Sequence, residues 1–231
     1  MLARLLELEI LKGQLGVEEG PVNNTGERVE EYQRTDNIVG EHYAWCVDFG
    51  LQWGHRLATG ARRVKNKAGE IVLKGGEVVA FGTASCSYAI DFARAKRWIV
   101  TGKPLKADKM VFSDGSHFMT IEKVLRVLPG LLYTNTIEGN TTSYDALSTT
   151  PHNRDGVYRK RRIVRRSSVT IIRVPGLAKP VDPLAIAAMN RLTPKPKDEK
   201  DTKPKPKAKK KAKPPLSIEQ STRPANQERK K

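Results

Sequence analysis

At 231 residues and 25.8 kDa, with 42 Lys and Arg against 25 Asp and Glu, the chain carries a formal net charge of +17. That length suits one domain of about 170–200 residues with a tail, or two small domains; an aromatic content of 6% is lean enough that part of the chain adds nothing to a core. No apolar run approaches the roughly 18 residues of a membrane span, and two cysteines, Cys46 and Cys86, make no disulfide framework, so each reads first as a thiol.

The first predicted element is a helix on which Leu2, Leu5, Leu6, Leu8 and Leu11 share a mostly helical spacing, closed by Gly13 and Gly16. The same stretch carries Glu7 and Glu9 inside its apolar run and no small-residue cleavage site, which speaks against a secretory signal peptide. A polar loop over Gly20–Gly26 leads to a short helix near Arg28–Tyr32. His42–Ala58, with Val47, Leu51 and Gly54 on one stripe, reads as a buried helix preceded by a loop. Gly60–Gly82 holds two glycine turns around Ile71–Leu73 and Val78–Phe81, a hairpin-like excursion, and Ser85–Trp98 is helical again.

After Pro104 the texture changes. Lys109–Ser113, His117–Val127, Leu131–Ile137, Tyr158–Arg165 and Ser168–Val174 are short, β-branched and partly alternating. Asp114-Gly115, Pro129-Gly130, Gly139-Asn140 and Ser167-Ser168 punctuate them. Helices first and an antiparallel sheet afterwards define an α+β domain over residues 1–176.

The charge is unevenly spread. Residues 1–153 are neutral, residues 154–173 carry +7 and residues 191–231 carry +10. From Pro194 the chain alternates Pro and Lys with almost nothing to bury, so residues 177–231 read as a disordered basic tail that attracts polyanions. Arg159-Lys160-Arg161-Arg162 with Arg165-Arg166 reads as a solvated basic edge strand, which discourages edge pairing, or as an electrostatic footprint for anionic polymers. Only Tyr158 is interleaved with it, which argues against a base-stacking platform.

Three places look chemical. Cys46, in Tyr43-Ala44-Trp45-Cys46-Val47-Asp48-Phe49, starts the buried helix, where terminal N–H groups and the helix dipole favour thiolate over thiol. His117 follows the Ser113-Asp114-Gly115-Ser116 turn and opens a strand, placed by rigid backbone yet reachable. Thr136-Ile137-Glu138-Gly139-Asn140-Thr141-Thr142 ends the third strand and delivers a carboxylate and an amide two residues apart on one face. Either can orient the imidazole. Nucleophile, base and orienter are the parts of thiol-based acyl transfer. Taken singly, each has a plainer reading: a small core residue, a surface histidine, a turn.

In this order and placement the residues resemble the CHAP family, the cysteine- and histidine-dependent amidohydrolase/peptidases of the papain-like superfamily found in phage lysins and bacterial cell-wall hydrolases. The likeness runs over about Leu5–Pro175, through Gln14–Pro21, Asn23–Gly26, Ala44–Phe49, His117–Ile121, Thr136–Thr142 and the closing strand Thr170–Pro175. The resemblance implies Cys46 as nucleophile, His117 as general base and acid, Glu138 as orienter of the imidazolium and Asn140 as a further polar partner near the histidine. Whether Glu138 or Asn140 is the principal orienter stays open. The backbone N–H of Cys46 is an expected oxyanion donor.

Cys86, in Ala84-Ser85-Cys86-Ser87-Tyr88, is the rival thiol and reads as a core or helix-start residue. His42, His55 and His152 complete the four histidines without a zinc signature, and no cofactor or metal is expected. The expected function is amide hydrolysis in peptidoglycan, by a protein made in the cytoplasm and acting at the bacterial wall after phage release or from a virion. The tail is expected to hold teichoic acid or nucleic acid. The rival is a basic nucleic-acid-binding or structural phage protein whose CHAP-like domain is catalytically silent.

Overall fold

The computed structural model describes residues 2–36, 43–79, 84–142 and 154–175. His42, His152 and the expected tail over 177–231 lie outside them. The described residues form a mixed helix-and-sheet domain: α1 (Leu2–Lys12), α2 (Glu27–Gln33), α3 (Gly54–Ala58) and α4 (Cys86–Ala95), a hairpin of β1 (Arg62–Lys65) and β2 (Ile71–Lys74), and strands β3 (Lys109–Phe112), β4 (Phe118–Leu128), β5 (Leu131–Thr142), β6 (Asp155–Arg165) and β7 (Val169–Ile172). The last five make one antiparallel sheet in the order β6-β5-β4-β3-β7. Among the described residues no helix is long and apolar enough to cross a membrane.

The helix predicted over His42–Ala58 begins at Cys46 and runs unbroken to Ala58, passing through a π-helical turn at Asp48–Trp53 before α3. It lies close on the sheet because position 50 has no side chain: a Cβ on Gly50 would come within 2.9 Å of the Phe118 ring on β4. On the other side its aromatic residues meet α2, where Tyr32 touches Trp45, Phe49 and Trp53 with ring centroids 4.9–5.3 Å apart. Glu31 is buried beneath them and accepts hydrogen bonds from Trp53 Nε1 (2.9 Å) and from the Arg63 guanidinium (2.7 Å from both Nε and Nη2).

That arginine belongs to β1, and the hairpin therefore docks on α2. The hairpin-like excursion expected over Gly60–Gly82 is made by β2 pairing with Arg62–Lys65, while residues 80–83, which include part of the Val78–Phe81 stretch, lie outside the described ones. The turn between the two strands is built by Asn66, whose Oδ1 accepts from the N–H groups of Ala68 (2.9 Å) and Glu70 (3.0 Å). The predicted break at Gly139-Asn140 is corrected. β5 continues to Thr142, and the pairing with β6 slips between Glu138 and Thr141, with Asn140 at φ 53°. This is a β-bulge, which redirects side chains without ending the strand.

Both faces of the sheet are buried near β3. Met110, Met119, Ile121, Leu132 and Ile171 cluster on one face; Val111 and Phe118 meet Val47, Leu51, Ala89 and Ile90 on the other. The outer side of β7 is covered by Trp98–Val100, through Val100 N–H to the Ile171 carbonyl (2.9 Å) and Arg173 N–H to the Trp98 carbonyl (2.8 Å). The start of β6 is covered by the segment around Val17, whose carbonyl accepts from Val157 N–H (2.8 Å). The rest of β6 forms the other sheet edge, with Arg161, Ile163 and Arg165 exposed along it.

Candidate active site

Cys46, His117 and Glu138 come together from three elements. Cys46 opens the long helix, His117 stands between the Asp114–Ser116 turn and β4, and Glu138 lies on β5, next to β4 in the sheet. The turn is set by Gly115 at φ 74° and by Asp114 Oδ1, which accepts from Ser116 N–H (2.9 Å). The Phe112 N–H to the His117 carbonyl (3.1 Å) closes it. Short turns between paired strands hold a side chain with little freedom, which is what a base needs.

His117 Nε2 is 3.0 Å from Glu138 Oε2, and the imidazole interacts with the Cys46 thiol as well. Glu138 is fully buried and satisfied at both oxygens. Oε1 accepts from Thr136 Oγ1 (2.5 Å) and Arg162 Nε (2.7 Å), and Oε2 accepts from Arg162 Nη2 (2.5 Å). Burial on its own would raise this carboxyl. The hydrogen bonds and charges of Arg162 and His117 outweigh it and hold the group at about 2, so it is ionised across the physiological range. Burial pulls His117 down, and hydrogen bonds to Cys46 and Glu138, with their charges, lift it to about 9.

Cys46 is 3% exposed. Its thiol is held well below the usual value, first by a hydrogen bond from Cys86, then, against burial, by the hydrogen bond and charge of His117 and by the Phe118 N–H. Both shifts favour a thiolate beside an imidazolium over the neutral pair. A buried thiolate with an imidazolium beside it is an activated nucleophile with a proton donor in reach of whatever it attacks.

Asn140 is placed elsewhere. With its amide turned so that the nitrogen faces acceptors, it donates to Asn24 Oδ1 (3.2 Å) and Glu19 Oε1 (3.3 Å) and accepts from Trp45 N–H (3.3 Å). Glu19 also takes Trp45 Nε1 (2.9 Å) and Asn24 N–H (2.8 Å) on its two oxygens. Gln33 Nε2 donates to the carbonyls of Asn24 (3.2 Å) and Tyr43 (2.9 Å). This buried network fixes the segment that leads into Cys46. Gly139 lets the indole in: a Cβ there would stand 2.5 Å from Trp45 Cζ3 and 2.8 Å from Phe49 Cδ1. Glu138-Gly139-Asn140 thus combines a hydrogen-bond partner for the imidazole, a gap for Trp45 and a clamp on the segment that leads into Cys46. The expectation that Glu138 and Asn140 share one face is corrected by the bulge between them.

Two residues at the site were read otherwise in the sequence, Cys86 as a rival thiol settled as a core or helix-start residue. Arg162 read as one of a basic cluster; the strand register aligns Glu138 with Tyr158, and Arg162 reaches back along the same face. Cys86 opens α4 behind its cap Ser85, whose Oγ accepts from Tyr88 N–H (3.3 Å), and its sulfur is 3.7 Å from that of Cys46. Its local setting, a cysteine at a helix start, was visible in the sequence, but the proximity was not. His55 lies apart, with Nδ1 3.9 Å from Glu7 and Nε2 3.9 Å from Glu77. No protein-family model, curated protein or solved structure matches the chain.

Proposed function

We propose that the chain is a cysteine amidohydrolase or peptidase of the CHAP type that cleaves an amide bond of bacterial peptidoglycan, either muramoyl–L-alanine or a peptide bond of the stem or cross-bridge. The observation that carries this reading is the buried row Cys46–His117–Glu138, with the nucleophile on a helix and the base and its orienter on adjacent strands. The same order of elements supports the finer, papain-like assignment of the domain. In this reading Cys46 sulfur attacks the carbonyl carbon, and the N–H of Cys46 faces the oxygen that gains charge. Imidazolium His117 gives its proton to the leaving amine as the C–N bond breaks, leaving a thioester. Neutral His117 then takes one proton from water, whose oxygen attacks the thioester carbon; the C–S bond breaks, the carboxylic acid leaves and gives its remaining proton to solvent, and thiolate and imidazolium are restored. Glu138, held charged by Arg162, stabilises the cation throughout.

The test is incubation with purified peptidoglycan of several chemotypes, comparing wild type with Cys46→Ala and assigning fragments by mass. New termini from wild type alone support the reading, and their masses name the bond; a folded wild type that releases nothing from any chemotype ends it. The tail belongs to the same proposal. Its net +10 over residues 177–231 would hold an anionic wall polymer by charge, so retention on isolated walls should fall steeply between low and physiological salt.

A further inference from the structure

The sulfurs of Cys46 and Cys86 are 3.7 Å apart, both side chains are buried, and both belong to the cluster that includes Val47, Leu51, Ala89 and Phe118. A disulfide needs about 2.05 Å between sulfurs, so the two sulfurs must approach by about 1.7 Å to bond. Each cysteine stands at the start of a different helix, and neither is joined to another sulfur. We propose that Cys86 is a resolving thiol for Cys46: a peroxide-class oxidant converts the two into an intramolecular disulfide, and a small thiol returns them to the reduced pair.

The chemistry follows from the unequal protonation of the two sulfurs. Cys46, as thiolate, attacks one oxygen of hydrogen peroxide; the O–O bond breaks, Cys46 becomes a sulfenic acid, and the other oxygen leaves as water once protonated. Cys86 sulfur then attacks Cys46 sulfur, the S–O bond breaks, and the hydroxyl leaves as water with the proton of Cys86. Two thiol groups lose two electrons, and one peroxide gains them. While Cys46 is an anion, its hydrogen bond and charge, together with burial and the charge of Asp114, push the Cys86 thiol far up, so Cys86 stays protonated and inert. Oxidation of Cys46 removes that anion, and Cys86 becomes nucleophilic only when there is something to resolve. The turn carrying Asp114 is packed on the start of α4, where a Cβ on Gly115 would meet Ser87 Oγ at 2.3 Å.

The experiment uses the full chain, reduced and then treated with a few equivalents of hydrogen peroxide, quenched with iodoacetamide and mapped by proteolysis and mass spectrometry. Wild type should lose about 2 Da, expose no free thiol, and yield one cross-linked peptide pair containing Cys46 and Cys86 that dithiothreitol separates. Cys86→Ser should instead gain oxygen at Cys46, about 16 and then 32 Da, and dithiothreitol should not reverse the second step. The proposal is overturned if wild type goes to sulfinic acid without the cross-linked pair, or if Cys86→Ser recovers its thiol as fully as wild type. Should the serine variant fail to fold, the wild-type peptide map decides by itself. Because the readout is mass and not lysis, a failure of peptidoglycan hydrolysis would leave this result intact.

Discussion

Four donors converge on the Glu138 carboxylate: Thr136, two nitrogens of Arg162 and the His117 imidazole. A carboxylate so engaged sets both the direction and the charge of the ring. Replacing it by an amide, Glu138→Gln, keeps the shape but removes the negative charge facing Arg162 and His117, and so lowers the proton affinity of His117. Cys46 then loses its cationic partner. The expected result is a shift of iodoacetamide reactivity at Cys46 to higher pH and a fall in amide hydrolysis of about 100-fold or more. An alkylation profile that overlays wild type would remove Glu138 from the site. In wild type, alkylation should already be fast near neutrality, where an ordinary thiol is almost wholly protonated, and hydrolysis should fall as pH rises through about 9 and His117 loses its proton.

The same carboxylate makes an acid-stability prediction. Its folded value of about 2 lies below its ordinary 4.5, so the stability it contributes is complete above 4.5 and is lost as pH falls through about 2. Melting temperature followed from pH 5 down to pH 2 should drop more steeply for wild type than for Glu138→Gln. Equal slopes would show that the ordinary carboxylates carry acid unfolding.

Among the elements, the bulge in β5 has the widest reach. Gly139→Ala forces a methyl group against Trp45 and Phe49, where contact with rigid rings cannot relax by a small rotation. The expected cost is about 1–3 kcal/mol in chemical denaturation. Slower alkylation of Cys46 should accompany it, because the displaced indole adjoins the nucleophile. Loss of stability with undiminished alkylation would uncouple Trp45 from Cys46. This bulge also marks where the sequence was hard to read. The five main strands were legible from β-branched alternation and turn residues, and α1 and α4 from apolar spacing. Gly139-Asn140 carries the same signal as a turn, and only the partner strand distinguishes a bulge from an end. The hairpin was half legible, since Arg62–Lys65 is too basic to stand out as a strand until Arg63 meets Glu31. Cys46 and His117 were readable because each sits at the start of an element, and Glu138 because it stands beside the Gly139-Asn140 signal. Arg162 and Cys86 reach the site by strand register and helix packing, which leave no local pattern.

Across the whole molecule, α1 and β3 are joined by a buried ion pair 102 residues apart in sequence, Lys109 Nζ to Glu7 Oε1 at 2.6 Å, with Lys109 also donating to Thr120 Oγ1 (3.2 Å). Both charges are out of water. Burial lowers the lysine; it would raise the carboxyl, but Lys109 and His55 more than compensate and hold Glu7 down. α1 is seated against α3 as well, where a Cβ on Gly54 would stand 2.7 Å from Leu11 Cδ2. Removing one member leaves the other buried without its close counter-charge: after Lys109→Met the ion-pair partner of Glu7 among the described residues is His55 at 3.9 Å, at an expected cost of about 3–5 kcal/mol in urea denaturation. Lys109→Met combined with Glu7→Gln removes both charges and should cost less than the sum of the single changes, because no unpaired ion remains. Below its unfolding temperature the double variant should alkylate at Cys46 at the wild-type rate, since the row at Cys46 is assembled from the long helix and from β4 and β5. A cost under about 1 kcal/mol for Lys109→Met would mean that water reaches the pair and that apolar packing, with the Arg4–Asp108 and Lys12–Glu122 ion pairs, holds α1 to the sheet.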